Sequence, residues 1–190
     1  TTEGTRDYTR RRINHPDDWL KLEVLDPYKG ALSNQLACLD LVSQAAGAEI
    51  PVVQTIFSPL AQAKNLAGGQ TLLVHLRQYP DAVKEGLKVI TESTCLFVDA
   101  AIKTGIAGIF YAVQHANYHL LSKAEYRDFG VSNDRQILAS VQSLWLNILH
   151  LHGDNILFDM FLDYPVSVLN WHDQDTPPSL QQAKQMTNLT

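Results

Sequence analysis

His150-Leu151-His152 is the segment of this sequence best suited to chemistry. On a β-strand, residues i and i+2 project from one face, so two imidazoles there offer their nitrogens to one Zn²⁺ or to one substrate. His115, His172 or Asp173, each near the end of another strand-like segment, is placed to supply a third ligand. Without a metal the same groups act as general acids and bases or as hydrogen-bonding groups, which asks less of the spacing. The bland alternative gives one histidine to the core and the other to a loop. Of the seven histidines, five (His115, His119, His150, His152 and His172) follow strand-like segments closely. Gln114, Asn117, Asp154, Asn155, Asn170, Asp173 and Asp175 accompany them, and ordinary loop polarity is the competing account. The resulting candidates are His150, His152, His115 and Asp154 for catalysis, with His150 and His152 also as metal ligands. Gln114, His172, Asp173 and Asn65 are the candidate substrate contacts. Asn65 either reaches this pocket or helps to end its helix before Gly68-Gly69.

Positioning these residues falls to four short, apolar, β-branched segments at 50–56, 107–113, 146–151 and 166–171. Helical patterns separate them: 31–47, 59–68, 70–79, 81–103, 122–129, 133–144 and 156–162, with a last one opening at Pro177-Pro178-Ser179. Such alternation predicts an α/β fold with a parallel sheet and right-handed crossovers. An open doubly wound sheet and an arc of a (β/α)₈ barrel both fit, and in both the ligand site lies at the C-terminal strand edge. A complete barrel takes about 250 residues and eight strands. At 190 residues and four strands, this chain fits a barrel only as an incomplete arc. Residues 1–15, with Arg6, Arg10, Arg11 and Arg12 among polar neighbours, read as a flexible, solvated arm in preference to an anion-binding one.

Composition removes several function classes. With 15 basic and 20 acidic residues the formal charge is −5, contrary to what a general nucleic-acid binder needs. At 45% hydrophobic and 18% charged the chain is globular, and no apolar run approaches a membrane span. Cys38 and Cys95 stand far apart without CxxC spacing, and no secretory segment opens the sequence, which points to a reducing cytoplasm. GxGxxG, GxxxxGK, HExxH and GxSxG do not occur.

Five landmarks in order carry a family likeness. They are Leu25-Asp26-Pro27, Ile56-Phe57-Ser58-Pro59 leading to Gly68-Gly69, Gln114-His115-Ala116-Asn117, His150-Leu151-His152-Gly153-Asp154, and Val168-Leu169-Asn170-Trp171. The sequence resembles the uroporphyrinogen decarboxylase superfamily, including its zinc methyltransferases, which move methyl groups between corrinoid proteins and thiols. The resemblance implies a (β/α)₈ barrel of which this chain, as a single domain over 1–190, is the middle, lacking both ends. It implies cofactor-free decarboxylation of a tetrapyrrole or related carboxylate, or alternatively zinc-dependent methyl transfer with a corrinoid protein and a thiol. A non-catalytic, degenerate barrel is the third reading. Asn65 stands where the decarboxylases carry a tyrosine, and Gln114 where they carry a serine. His152 stands where the methyltransferases carry a zinc-binding cysteine, and imidazole in its place still suits zinc. No DxHxxG segment is present, so any cobalamin arrives on another protein. The expected partners are the small-molecule substrate and a second copy in a homodimer, with neither nucleic acid nor membrane.

Overall fold

The computed structural model describes residues 9–190. Four parallel strands, β1 (Val53–Phe57), β2 (Gly108–Val113), β3 (Ile148–Leu151) and β4 (Val168–Trp171), lie in the order β1-β2-β3-β4. Helix α1 (Gly30–Ala46) precedes the sheet. Helices α2 (Pro59–Ala67), α3 (Gly69–Gln78) and α4 (Pro80–Ile102) link β1 to β2, and α5 (Lys123–Tyr126) and α6 (Ser132–Ser140) link β2 to β3. Helix α7 (Leu180–Met186) follows β4. Spatial order equals chain order, with no reversal of the kind that defines a doubly wound sheet. The sheet is therefore an arc.

Alternation along the strands separates its two faces. Ile56, Ile109, Tyr111, Val113, Leu149, Leu151, Leu169 and Trp171 are buried, and Tyr111 marks their face as the helix-covered one by donating to Asp134 of α6. Phe57, Phe110, Ile148, His150, Val168 and Asn170 take the opposite face, where Phe57 and Asn170 are exposed and the other four half-buried. Chemistry carried on that second face is open to a ligand. No helix among the described residues is long and apolar enough to cross a membrane.

Several elements depart from the sequence reading, each for a local reason. The separate helices expected at 122–129 and 133–144 are one helical stretch, joined by a π-turn over Arg127–Val131. That wider turn accommodates the Tyr126 ring, which a Cβ on Gly130 would meet at 2.8 Å. Helix α6 stops at Ser140 because buried Asn147 donates to the carbonyls of Val141 (2.8 Å) and Leu144 (3.1 Å), leaving no continuing ladder. The helix expected at 156–162 is a single 3₁₀ turn, Phe158–Phe161. The arm read at 1–15 falls partly on residues 1–8, outside the described residues. From Arg11 onward it is docked: Ile13 is fully buried, its N–H donates to Leu66 O, and Arg11 donates to Asn65 O at 2.7 Å.

Close packing of the first residues makes one prediction immediate. Trp19 is fully buried, with its indole N–H on His75 Nδ1 at 3.0 Å, and a Cβ added at Gly86 of α4 would lie 2.6 Å from its ring. Gly86→Ala gains helix propensity worth about 1 kcal/mol, against overpacking that costs about 1–3 kcal/mol. A net loss of stability is expected in thermal melting. A melting temperature at or above wild type would show that Trp19 yields freely.

Candidate functional site

Strand register builds the site. In the parallel β3–β4 pair His150 lies beside Asn170. Two residues further, on the same face, stand His152 and His172, each just past its strand. The four side chains form a small square at the C-terminal edge of the open face. Ring centroids are 5.7 Å apart for His150–His152, 5.8 Å for His150–His172 and 5.7 Å for His152–His172. One potential ligand nitrogen from each ring lies within 4.8 Å of the other two. His150 is half-buried, while His152 and His172 are exposed.

Two neighbours hold His150. Its Nδ1 meets Asn170 Oδ1 at 2.6 Å, and its ring stacks on Phe110 at 5.2 Å with planes 25° apart. Burial, reinforced by the nearby rings of His152 and His172, lowers the His150 pKa against the opposing pull of Asn170. The neutral imidazole is thereby favoured, which is the form that ligates a metal. His172 Nδ1 lies 3.8 Å from Asp175 Oδ2, beyond hydrogen-bond range.

The structure does not bring all the other sequence candidates to this square, and Asn65 lines a separate cavity. Gln114 follows β2 directly, beside the point where the His152 N–H donates to Val113 O. His115 does not join the converging trio. It is 3% exposed, its Nδ1 has no hydrogen-bond partner among the described residues, and burial with the nearby Lys64 charge lowers its pKa to about 4. Asn117, also buried, has an Oδ1 without a partner among the described residues. Asp154 is exposed and faces His119 at 3.4 Å, and Asp173 accepts from Gln174 at 2.8 Å. Asn65 lies on α2, lining a cavity of about 500 Å³ with Arg12, Lys21, Gln62 and Ile90. Sequence reasoning left Asn170 and Phe110 without roles. The repeated spacing His150-x-His152 and Asn170-x-His172 was the available signal for Asn170, but its meaning depends on register.

Three imidazoles form a donor set suited to Zn²⁺, and their proximity lets side-chain rotation gather them around one ion. The family model described as uroporphyrinogen decarboxylase (URO-D) matches residues 2–189. The chain belongs to the uroporphyrinogen decarboxylase family. It matches no curated protein sequence. Among solved structures it is similar to a methyltransferase from Methanosarcina mazei, with TM-score 0.76 and 20% identity over 87% of this chain. The match covers 49% of that methyltransferase, so this chain spans about half its length. The likeness fixes the fold: four parallel strands with their helices form an arc of the family's (β/α)₈ barrel. In this uroporphyrinogen decarboxylase family arc, the histidine trio occupies the edge where barrel enzymes place their active sites.

Proposed function

We propose that this family member is a zinc-dependent transferase acting on a thiol, with His150, His152 and His172 as the metal ligands. The convergence of three imidazoles on the open strand edge is the observation that carries the reading. Zinc held there by three imidazoles would keep its full positive charge and would lower the pKa of a thiol bound to it. The chain's own residues supply the setting: Asn170 and Phe110 hold His150 from two sides, and exposed His152 and His172 leave the site accessible. Asp154, Gln114 and Asp173 stand as polar substrate contacts around that edge, and the methyl donor is a corrinoid carried on a separate protein. Buried His115 is not a ligand in this reading.

Cofactor-free decarboxylation of a tetrapyrrole is the second reading, favoured by the family's description. A substrate of that kind carries many carboxylates, which call for arginines or lysines beside the pocket. Within 107–175 the cations are Lys123, Arg127 and Arg135. Lys123 is paired with Asp159 at 2.6 Å and Arg135 with Asp163 at 2.7 Å, so two of these three cations already have carboxylate partners. That arrangement weakens the decarboxylase reading.

Zinc titration of the chain, followed by assays on the complete protein, separates the two. About one equivalent of bound zinc is expected, together with zinc-dependent methyl transfer from methylcobalamin to a thiol. Metal-independent release of CO₂ from uroporphyrinogen, with no zinc bound, would overturn the proposal. Binding without either activity would leave the degenerate-barrel reading standing in its place.

A further inference from the structure

We propose that Asn170 is a positioning residue, which fixes His150 as the Nδ1–H tautomer so that Nε2 presents its lone pair to the ligand site. The inference rests on the zinc reading for its purpose, but not for its test. The 2.6 Å contact joins His150 Nδ1 to a carbonyl oxygen, Asn170 Oδ1. A carbonyl oxygen only accepts, so with Oδ1 turned to the ring the proton of the neutral imidazole is placed on Nδ1. The neutral ring then has one lone pair left, on Nε2. In water a neutral histidine side chain favours the opposite, Nε2–H form, so the contact reverses an intrinsic preference.

Three further observations make this a device and not an accident of packing. Register places Asn170 directly beside His150 in the β3–β4 pair, so the contact follows from the backbone and needs no long side chain to reach across. Phe110, stacked on the imidazole at 5.2 Å, limits ring rotation and leaves the Asn170 oxygen to select which nitrogen faces it. Finally, asparagine is a poor strand residue. At position 170 it is exposed, and Leu169 and Trp171 on the other face supply the packing of β4. The fold gains little from asparagine there. An acceptor for His150 is what the position provides.

Asn170→Ala, Asn170→Asp and His150→Ala in the full chain test this. Two readouts apply: zinc affinity by competition with a chromophoric chelator, and the His150 tautomer in the metal-free protein from long-range ¹H–¹⁵N correlations. Loss of an outer partner of this kind weakens metal binding by about 10–100-fold, and that loss is expected for Asn170→Ala with melting little changed. Its His150 spectrum should move from the Nδ1–H toward the Nε2–H pattern. Asn170→Asp keeps an acceptor and should keep the wild-type tautomer and most of the affinity. An Asn170→Ala protein with the wild-type tautomer would overturn the proposal, whatever its affinity. Failure of the wild-type chain to bind zinc would remove the zinc reading instead, because the nitrogen spectrum still reports whether Asn170 sets the tautomer.

Discussion

Alanine at any one of His150, His152 and His172 is expected to lower zinc affinity by more than a hundredfold, while His115→Ala leaves it unchanged. Losing an outer hydrogen-bond partner already costs about 10–100-fold, and losing one of three direct ligands removes a metal–nitrogen bond outright. The nitrogens of the trio lie within 4.8 Å of one another, and that group excludes His115. His150→Ala should be the most severe, because His150 is the half-buried ligand held by Asn170 and Phe110. Thermal stability gives an independent readout. A ligand at a thousand times its Kd adds about 4 kcal/mol to a folded chain, so the same zinc concentration should raise the melting temperature of wild type and of His115→Ala well above the rise seen in the three ligand variants. Acid should weaken binding as protons compete for the imidazoles. Because burial lowers the His150 pKa, its own competition sets in below the pH typical of a free histidine. Wild-type affinity in all three variants would place the metal elsewhere. Loss of binding in His115→Ala would bring that buried ring into the site.

Local spacing made half of this site legible, and non-local register decided the rest. His150 and His152 are two residues apart on an apolar strand, so their common face follows from strand geometry alone. Which third group joins them depends on how β4 lies against β3, and His150↔Asn170 is one of several registers the apolar pattern of 166–171 allows. The sequence therefore left His115, His172 and Asp173 as alternatives. His115 lies two residues beyond the end of β2, where strand alternation no longer sets direction, and its buried ring does not join the group. The strands themselves were legible to within three residues. Val53 opens β1 three residues beyond Ile50 because the chain first turns through Pro51, which cannot donate to the ladder. The π-turn at Arg127–Val131 was not legible, since it answers to the Tyr126 ring and to Asp134 packed behind it. Asp134 itself gave no signal, because two of its three tyrosine partners, Tyr111 and Tyr164, lie 23 and 30 residues away along the chain.

Asp134→Ala is expected to cost more stability than other substitutions on the helix-covered face, at least about 3 kcal/mol. The carboxylate is 1% exposed and accepts three phenolic hydrogen bonds: from Tyr111 on β2 at 2.6 Å, from Tyr126 on α5 at 2.6 Å, and from Tyr164 at 3.2 Å. It ties the sheet, the α5–α6 stretch and the segment before β4 to one point. Alanine strips the acceptor from three buried hydroxyls, each costing about 1–3 kcal/mol when left unpaired. Asp134→Asn keeps the volume and one carbonyl oxygen, so its loss should be smaller. The two variants share a second signature. Burial outweighs the three hydrogen bonds and raises the Asp134 pKa from 3.8 to about 6. The folded chain therefore holds this proton more tightly than the unfolded chain, and stability from this group grows as pH falls from above 6 toward 4. Two pH units of separation correspond to at most about 3 kcal/mol. Glu125 works in the other direction: Arg77 and Ser122 hold its pKa down at about 2, so its contribution is lost only below the ordinary carboxylate range. Between pH 7 and 5 the Asp134 effect should therefore dominate the comparison. Denaturant unfolding should show wild type gaining on both variants over that interval. A constant difference between wild type and Asp134→Asn would mean that the three tyrosines hold the carboxylate ionised, and that their hydrogen bonds outweigh its burial.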